Sequence, residues 1–251
     1  MSLRQLALPF VHHGALGEAD FLDAPSNAAA RAWLARPAGW PRGQLALHGP
    51  AGSGKTHLLH IWAIRQGATL LDGPGLRFAM PGGPLAIDDA DAAPEAALLH
   101  MLNAAAEAGH TVLLAARTPP ARWPVALADL ASRLRAMPAV AIEPAEEELL
   151  RALLARLLAE RQLAVSEAVQ EFLLLRLPRT PAALREAAAR LDHLALAAGR
   201  SVSRALASAV VAGLGEADAV LDEAGEAHEA GLDDVLMQKD RAPSPAAARL
   251  L

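Results

Sequence analysis

The chain has 251 residues, 53% of them hydrophobic, and a formal net charge of −5, enough apolar material to bury a sizeable core in a unit of two small domains. It contains no cysteine, which excludes disulfides, thiol catalysis and thiolate metal sites and fits a reducing compartment. No apolar run approaches the roughly 18 residues that span a bilayer, and the short apolar stretch behind Arg4 cannot serve as a signal segment, so a cytoplasmic protein without membrane association is expected.

The charge is uneven. Beyond Gly215 lie nine acids, Glu216 to Asp240, against Lys239, Arg241 and Arg249. The body that precedes this tail is nearly neutral and lacks the basic footprint of a duplex-DNA binder, so no direct sequence-specific DNA binding is expected.

In chain order, short apolar runs at Leu45 to Leu47, Thr69 to Leu71, Leu85 to Ile87, Val112 to Leu114 and Val140 to Ile142 read as buried parallel strands. Helical patterns at His57 to Arg65, Glu95 to Ala108 and Leu127 to Leu134 fall between them, predicting a doubly wound α/β sheet. The glycines and prolines from Asp72 to Pro84 leave little room for a crossover helix there. After Pro144 the strand signal stops, and helices are predicted at Glu146 to Arg161, Glu167 to Arg176, Pro181 to Ala198 and Arg204 to Leu214. Ser166, Thr180 and Ser203 stand where N-caps belong, and Gly199 where a left-handed C-terminal residue belongs.

Gly49-Pro50-Ala51-Gly52-Ser53-Gly54-Lys55-Thr56 follows a strand and opens a helix at His57. This is the setting of a phosphate-binding P-loop: glycines let backbone N–H groups face phosphate oxygens, Lys55 reaches the outer phosphates, and the Thr56 hydroxyl can ligate magnesium. A chance glycine-rich turn is the competing reading. The strand Leu85-Ala86-Ile87 ends in Asp88 and Asp89, assigned to the magnesium shell and to the attacking water respectively, against the alternative of a solvated acidic turn. Arg133 ends the helix before the last strand. It can serve as an arginine finger toward a neighbouring subunit or as a cation at a helix C-terminus. The histidines at 12, 13, 48, 57 and 60 lack accompanying acidic or thiol ligands for a metal site, and the tryptophans at 33, 40, 62 and 123 are scattered as core or domain-edge residues rather than as a base-stacking platform.

The P-loop, the Asp88-Asp89 strand, the Ser132-Arg133-Leu134 element before Val140 to Pro144, and the helical lid together resemble the AAA+ module of the DnaA family, over roughly Asp20 to Leu214. The resemblance implies a five-stranded parallel sheet with flanking helices and a small all-helical lid, with ADP or ATP and Mg2+ as cofactors. It also implies that Phe21 and Leu22, ahead of Ala24-Pro25-Ser26-Asn27, lie against the adenine; a capped helix start at Ser26 or Asn27 is the plainer reading of that segment. The acidic residues after the lid carry no helix-turn-helix pattern, so no DNA-reading domain is expected in them. Near the start, Gln5-Leu6-Ala7-Leu8-Pro9-Phe10 resembles the peptide by which replication proteins dock on the DNA polymerase III β sliding clamp, with Leu8 and Phe10 as apolar anchors and Gln5 fixing the register; a packing arm is the alternative. The combination is similar to the Hda-type group of DnaA-related regulators. That likeness implies clamp-dependent stimulation of hydrolysis of DnaA-bound ATP through Arg133, with DnaA and the clamp as partners and a homo-oligomer conceivable. A nucleotide-binding replication adaptor, or a DnaC-like helicase loader with its own ATPase activity, is the alternative. The expected division is 1–15 for the clamp peptide and arm, 16–144 for the α/β domain, 145–214 for the lid and 215–251 for the acidic tail.

Two departures from the family pattern stand out. Ala115-Ala116 replaces the polar residues that help place water at the end of the fourth strand, which weakens intrinsic hydrolysis. The lid arginine that senses nucleotide falls on Ala182 or Ala183; Arg185, one turn on, or Arg179, ahead of the helix, can substitute.

Overall fold

A computed structural model describes residues 16–198 and 201–214. The clamp-like peptide from Gln5 to Phe10, the C-cap position Gly199 and the acidic tail lie outside the described residues. The described chain opens with an arm, then α1 (Pro25–Leu34), β1 (Gln44–His48), α2 (Lys55–Gln66), β2 (Thr69–Asp72), β3 (Leu85–Asp88), α3 (Glu95–Glu107), β4 (Val112–Ala116), α4 (Ala128–Ala136) and β5 (Ala139–Ala141). Then come α5 (Glu147–Glu160), α6 (Glu167–Arg176), α7 (Pro181–Ala198) and a further helix, α8, over 204–214.

The five strands form one parallel sheet in the order β2-β3-β4-β1-β5. Because successive side chains on a strand point to opposite faces, each central strand supplies two cores. Ala46, Ile87, Leu114 and Ala116 face α3 and α4 through Leu98, Leu102, Leu130 and Leu134. Leu45, Leu47, Leu113 and Ala115 face α1 and α2 through Leu34, Leu59 and Trp62. A third cluster, centred on Leu154, Leu173, Leu184 and Leu191, belongs to the helices after Pro144.

Two strand readings change. Thr69 to Leu71 was expected to be buried, but β2 is the edge of the sheet and Leu70 is 41% exposed, because a last strand has a neighbour on only one side. The final strand sits one residue earlier than expected, at Ala139–Ala141, with the Ile142 N–H still donating to the His48 carbonyl at 2.7 Å. Between β2 and β3 there is no helix, in keeping with the glycines and prolines of that segment.

Helix starts show which caps are chemical. The Thr180 hydroxyl accepts the Ala183 N–H at 3.2 Å and Ser203 accepts that of Leu206 at 3.3 Å. Ser166 occupies its N-cap position without a side-chain bond, contrary to expectation, since Glu167 to Arg176 is closed there by backbone bonds to the Ser166 carbonyl. Neither Ser26 nor Asn27 is the first cap of α1. The cap is Ala24, with Pro25 in the first turn, and Asn27 reaches back to accept the Ala24 N–H at 3.2 Å. Asn27 is only 3% exposed; its amide also donates to the Leu22 carbonyl at 2.9 Å and its oxygen accepts the Arg31 Nε–H at 2.8 Å.

Asn27 therefore fixes the arm to α1 with both ends of one amide. Asn27→Ala is expected to lower the unfolding free energy by about 1–3 kcal/mol, because it orphans several buried groups at once; urea unfolding measures it, and an unchanged midpoint contradicts the assignment.

Candidate functional site

The loop between β1 and α2 carries the P-loop motif, and its glycines are required by conformation and by space. Gly52 and Gly54 have φ of +73° and +98°, a left-handed region that side chains disfavour. A Cβ on Gly49 would lie 2.5 Å from the Ile142 carbonyl oxygen, one on Gly52 3.1 Å from the Ala182 nitrogen, and one on Gly54 3.2 Å from the Phe21 ring. The end of the sheet, the lid and the arm thus meet the same loop.

Lys55 opens α2 and is buried. Its ammonium donates to the carbonyls of Gly49 at 2.9 Å and Pro50 at 2.8 Å, leaving its third N–H for another acceptor. Burial pushes its pKa down, opposed by the nearby carboxylates of Asp88 and Asp89. The Ser53 hydroxyl is buried with no protein partner. An unsatisfied hydroxyl, left-handed glycines and a poised lysine fit a phosphate chain at this loop. Thr56 is exposed beside them.

Asp88 ends β3, two strands from β1, and Asp89 follows in a left-handed conformation with φ of +43°. The Asp89 N–H donates to the Asp88 carboxylate at 3.1 Å, and the backbone N–H of Arg117 to Asp91 at 3.2 Å, so the ends of β3 and β4 are tied by an acid that sequence reading left without a role. Ala115 and Ala116 are fully buried, and the first polar side chain beyond them, Arg117, is exposed.

A cleft of about 50 Å3 is lined by Phe21, Leu22, Gly52, Ser53, His57 and Arg185, among others. The structure thus brings together the arm, the loop and the lid arginine proposed for this place. Arg185 is exposed by surface area, yet the protein crowded around it lowers its pKa through desolvation, with Glu160 opposing. Arg179 does not line this cleft: it pairs with Glu147 at 3.0 Å and lines a separate groove on the lid. His57 is held by the Gly17 carbonyl at 2.8 Å and by the edge of the Phe21 ring.

The arm bridges both domains. Glu18 pairs with Arg65 of α2, Asp20 pairs with Arg156 of α5, and Arg156 also donates to the Ala19 carbonyl at 3.0 Å. The Arg156 contacts join residues more than a hundred positions apart, the Glu18–Arg65 pair residues 47 apart, and none had a signal in the sequence.

Arg133 stands apart from this cleft. It lies on α4 and lines an open groove of about 410 Å3 with Arg42, Asp129, Ser132 and Ala136. It forms no ion pair among the described residues. The start of α4 is fixed by Glu95, whose carboxylate accepts the N–H groups of Ala126 at 2.9 Å and Leu127 at 2.8 Å; these bonds lower its pKa.

A family model described as an AAA domain matches residues 45–180, more than half of the chain, and the chain belongs to that family. No curated protein matches it in sequence. Among solved structures it is similar to domain III of the replication initiation protein DnaA from Thermotoga maritima, with a TM-score of 0.64 and 19% identity over 76% of this chain and 92% of that one. A RuvB mutant of Thermotoga maritima gives 0.60 and 20% over 78% and 70%. A replication initiator DnaA bound to AMPPCP and single-stranded DNA gives 0.51 and 17% over 66% of this chain and 61% of that one. These likenesses are of fold: the parallel five-stranded sheet and P-loop are those of the AAA+ architecture.

Burial holds the pKa of both His48 and His57 below the ordinary 6.5. Below that value the unfolded chain takes up protons that the folded chain refuses, so the stability tied to these rings is complete above about pH 6.5 and declines as pH falls through it. Urea midpoints measured from pH 7.5 to 5.5 should fall, and His57→Gln should flatten the fall; an unaltered slope in that variant contradicts the role of the buried ring.

Proposed function

We propose that the chain is a nucleotide-binding AAA+ regulator of the Hda type, which docks on the sliding clamp and stimulates hydrolysis of ATP bound to DnaA. The observation that carries this reading is the position of Arg133: an arginine without an ion-pair partner among the described residues, in an open groove away from the chain's own P-loop cleft. An arginine finger acts on the charge that develops on a neighbour's transferred phosphoryl group and needs this kind of access. The apolar end of β4 fits the same division, since Ala115 and Ala116 offer no hydrogen bond to place water in the chain's own site.

In this reading the P-loop holds ADP or ATP. Lys55, Ser53 and the loop N–H groups take the phosphates, Thr56 and Asp88 hold magnesium, Asp89 faces the water position, Phe21 and Leu22 border the base, and Arg185 reaches from the lid. Magnesium supplies charge neutralisation at the phosphates. The DnaA initiator described with AMPPCP has the same architecture at its core, which supports a nucleotide here. The cleft's 50 Å3 is well below the roughly 300 Å3 of a typical ligand pocket, and in this reading a bound base moves the lid away from the loop. Recruitment to the clamp rests on Gln5, Leu6, Leu8, Pro9 and Phe10. The clamp and DnaA are the partners; membrane and direct sequence-specific DNA contacts are not part of the reading.

ATP loss from DnaA, followed with clamp loaded on DNA, tests it. Arg133→Ala should abolish stimulation, by roughly a thousandfold or more, the usual share of an arginine finger, and leave nucleotide binding by the chain intact. Stimulation that survives the substitution contradicts the finger.

One observation favours a second reading, an autonomous ATPase of the helicase-loader sort: Asp88, Asp89 and Asp91 lie close enough to Lys55 to oppose its burial. Turnover by the purified chain alone, lost in Asp89→Asn, would support it; no turnover removes it.

A further inference from the structure

Arg133 does not line its groove alone. Arg42 enters from the turn Pro41-Arg42-Gly43, which precedes β1, and shares the space with Asp129, Ser132 and Arg133 of α4. Resting on the reading of Arg133 above, we infer that Arg42 is a second arginine for the partner's nucleotide, holding its polyphosphate while Arg133 acts on the transferred group.

The backbone of Arg42 supplies the first argument. Its φ is +55° and ψ 21°, the left-handed region, and Gly43 follows at +67°. An L side chain is disfavoured there, whereas glycine would adopt it freely. The turn is closed by the Gly43 N–H donating to the Trp40 carbonyl at 2.9 Å, and it is gripped at both ends. Trp40 is buried and stacked on Trp62 at 5.3 Å, while Gln44 is buried at the start of β1. A side chain thus stands where its own backbone disfavours it, and an outlier of this kind points to use of the side chain.

Charge is the second argument. Arg42 is exposed and, like Arg133, forms no ion pair among the described residues. Asp129 is the acid lining the groove; it stands four residues before Arg133 on α4 without reaching ion-pair distance. Two guanidiniums against one carboxylate leave the groove positive. A singly charged anion gains little there, whereas a nucleoside triphosphate, with several negative oxygens, can take one guanidinium on each of two phosphates. The Ser132 hydroxyl supplies a neutral donor between them.

The test is a titration of the full chain into ATP-loaded DnaA with DNA-loaded clamp, reading ADP formation against chain concentration. Arg42→Ala and Arg42→Gly should raise the half-stimulating concentration about tenfold, the equivalent of one charge-assisted contact, with a smaller effect on the maximal rate; Arg42→Lys should recover part of the loss. The gap from wild type should narrow as salt is added. Arg42→Gly relieves the backbone, so its unfolding midpoint should equal or exceed that of wild type, which separates charge from turn geometry. If Arg42→Gly stimulates with the wild-type concentration dependence while Arg133→Ala abolishes stimulation, Arg42 is a turn residue only and this inference is overturned, with the reading of Arg133 standing. A wild-type chain that gives no stimulation overturns both.

Discussion

The closeness of the P-loop to three other parts of the molecule is the constraint on which the rest depends. Each loop glycine admits a different neighbour: Gly49 the carbonyl at the end of the sheet, Gly52 the first turn of α7, Gly54 the ring of Phe21. A methyl group at any of them would push one part away. The need to wrap phosphate with backbone explains why glycines stand there, and the same lack of side chains lets sheet, lid and arm converge on the loop. A ligand in the loop would therefore lie beside the end of the sheet, the lid and the arm.

The arm makes that convergence mechanical. It is held to α1 by Asn27, to α2 by Glu18 and His57, and to the lid by Asp20 and Arg156. The salt bridges are partly exposed and individually weak, but the buried amide of Asn27 and the packing of Phe21 on Gly54 give them a fixed base. The two arginines proposed to act on a partner lie elsewhere, on α4 and the turn before β1, where Arg133 and Arg42 line an open groove. This separation is what the proposed function requires, with one site for the chain's own nucleotide and another for a partner's.

Much of this was legible in the sequence because it rests on local rules. The P-loop is a contiguous motif, β1, β3 and β4 are apolar runs with buried alternation, and the missing helix between β2 and β3 follows from its glycines and prolines. Burial of β2 was misread because edge position is a property of strand order, which no single run encodes. The cap of α1 was misplaced because Asn27 acts from the third helical position, backwards, on a residue whose own side chain is a methyl. Which of Arg179 and Arg185 lines the cleft depends on the lid's packing, since both lie near the start of α7 and Arg179 turns to Glu147. The Asp20–Arg156 pair joins residues 136 apart in sequence and has no local trace.

The central claim is that nucleotide in the P-loop sets the relation between the α/β domain and the lid. The chain has no cysteine, so the exposed Ile64 on α2 and Leu175 on α6 can be replaced by labelled cysteines without other thiols. Pulsed electron–electron distance measurement between the two labels, with and without saturating ADP and magnesium, tests the claim most directly. The account predicts a longer mean distance with nucleotide, abolished by Lys55→Ala; an identical distribution in both states would contradict it.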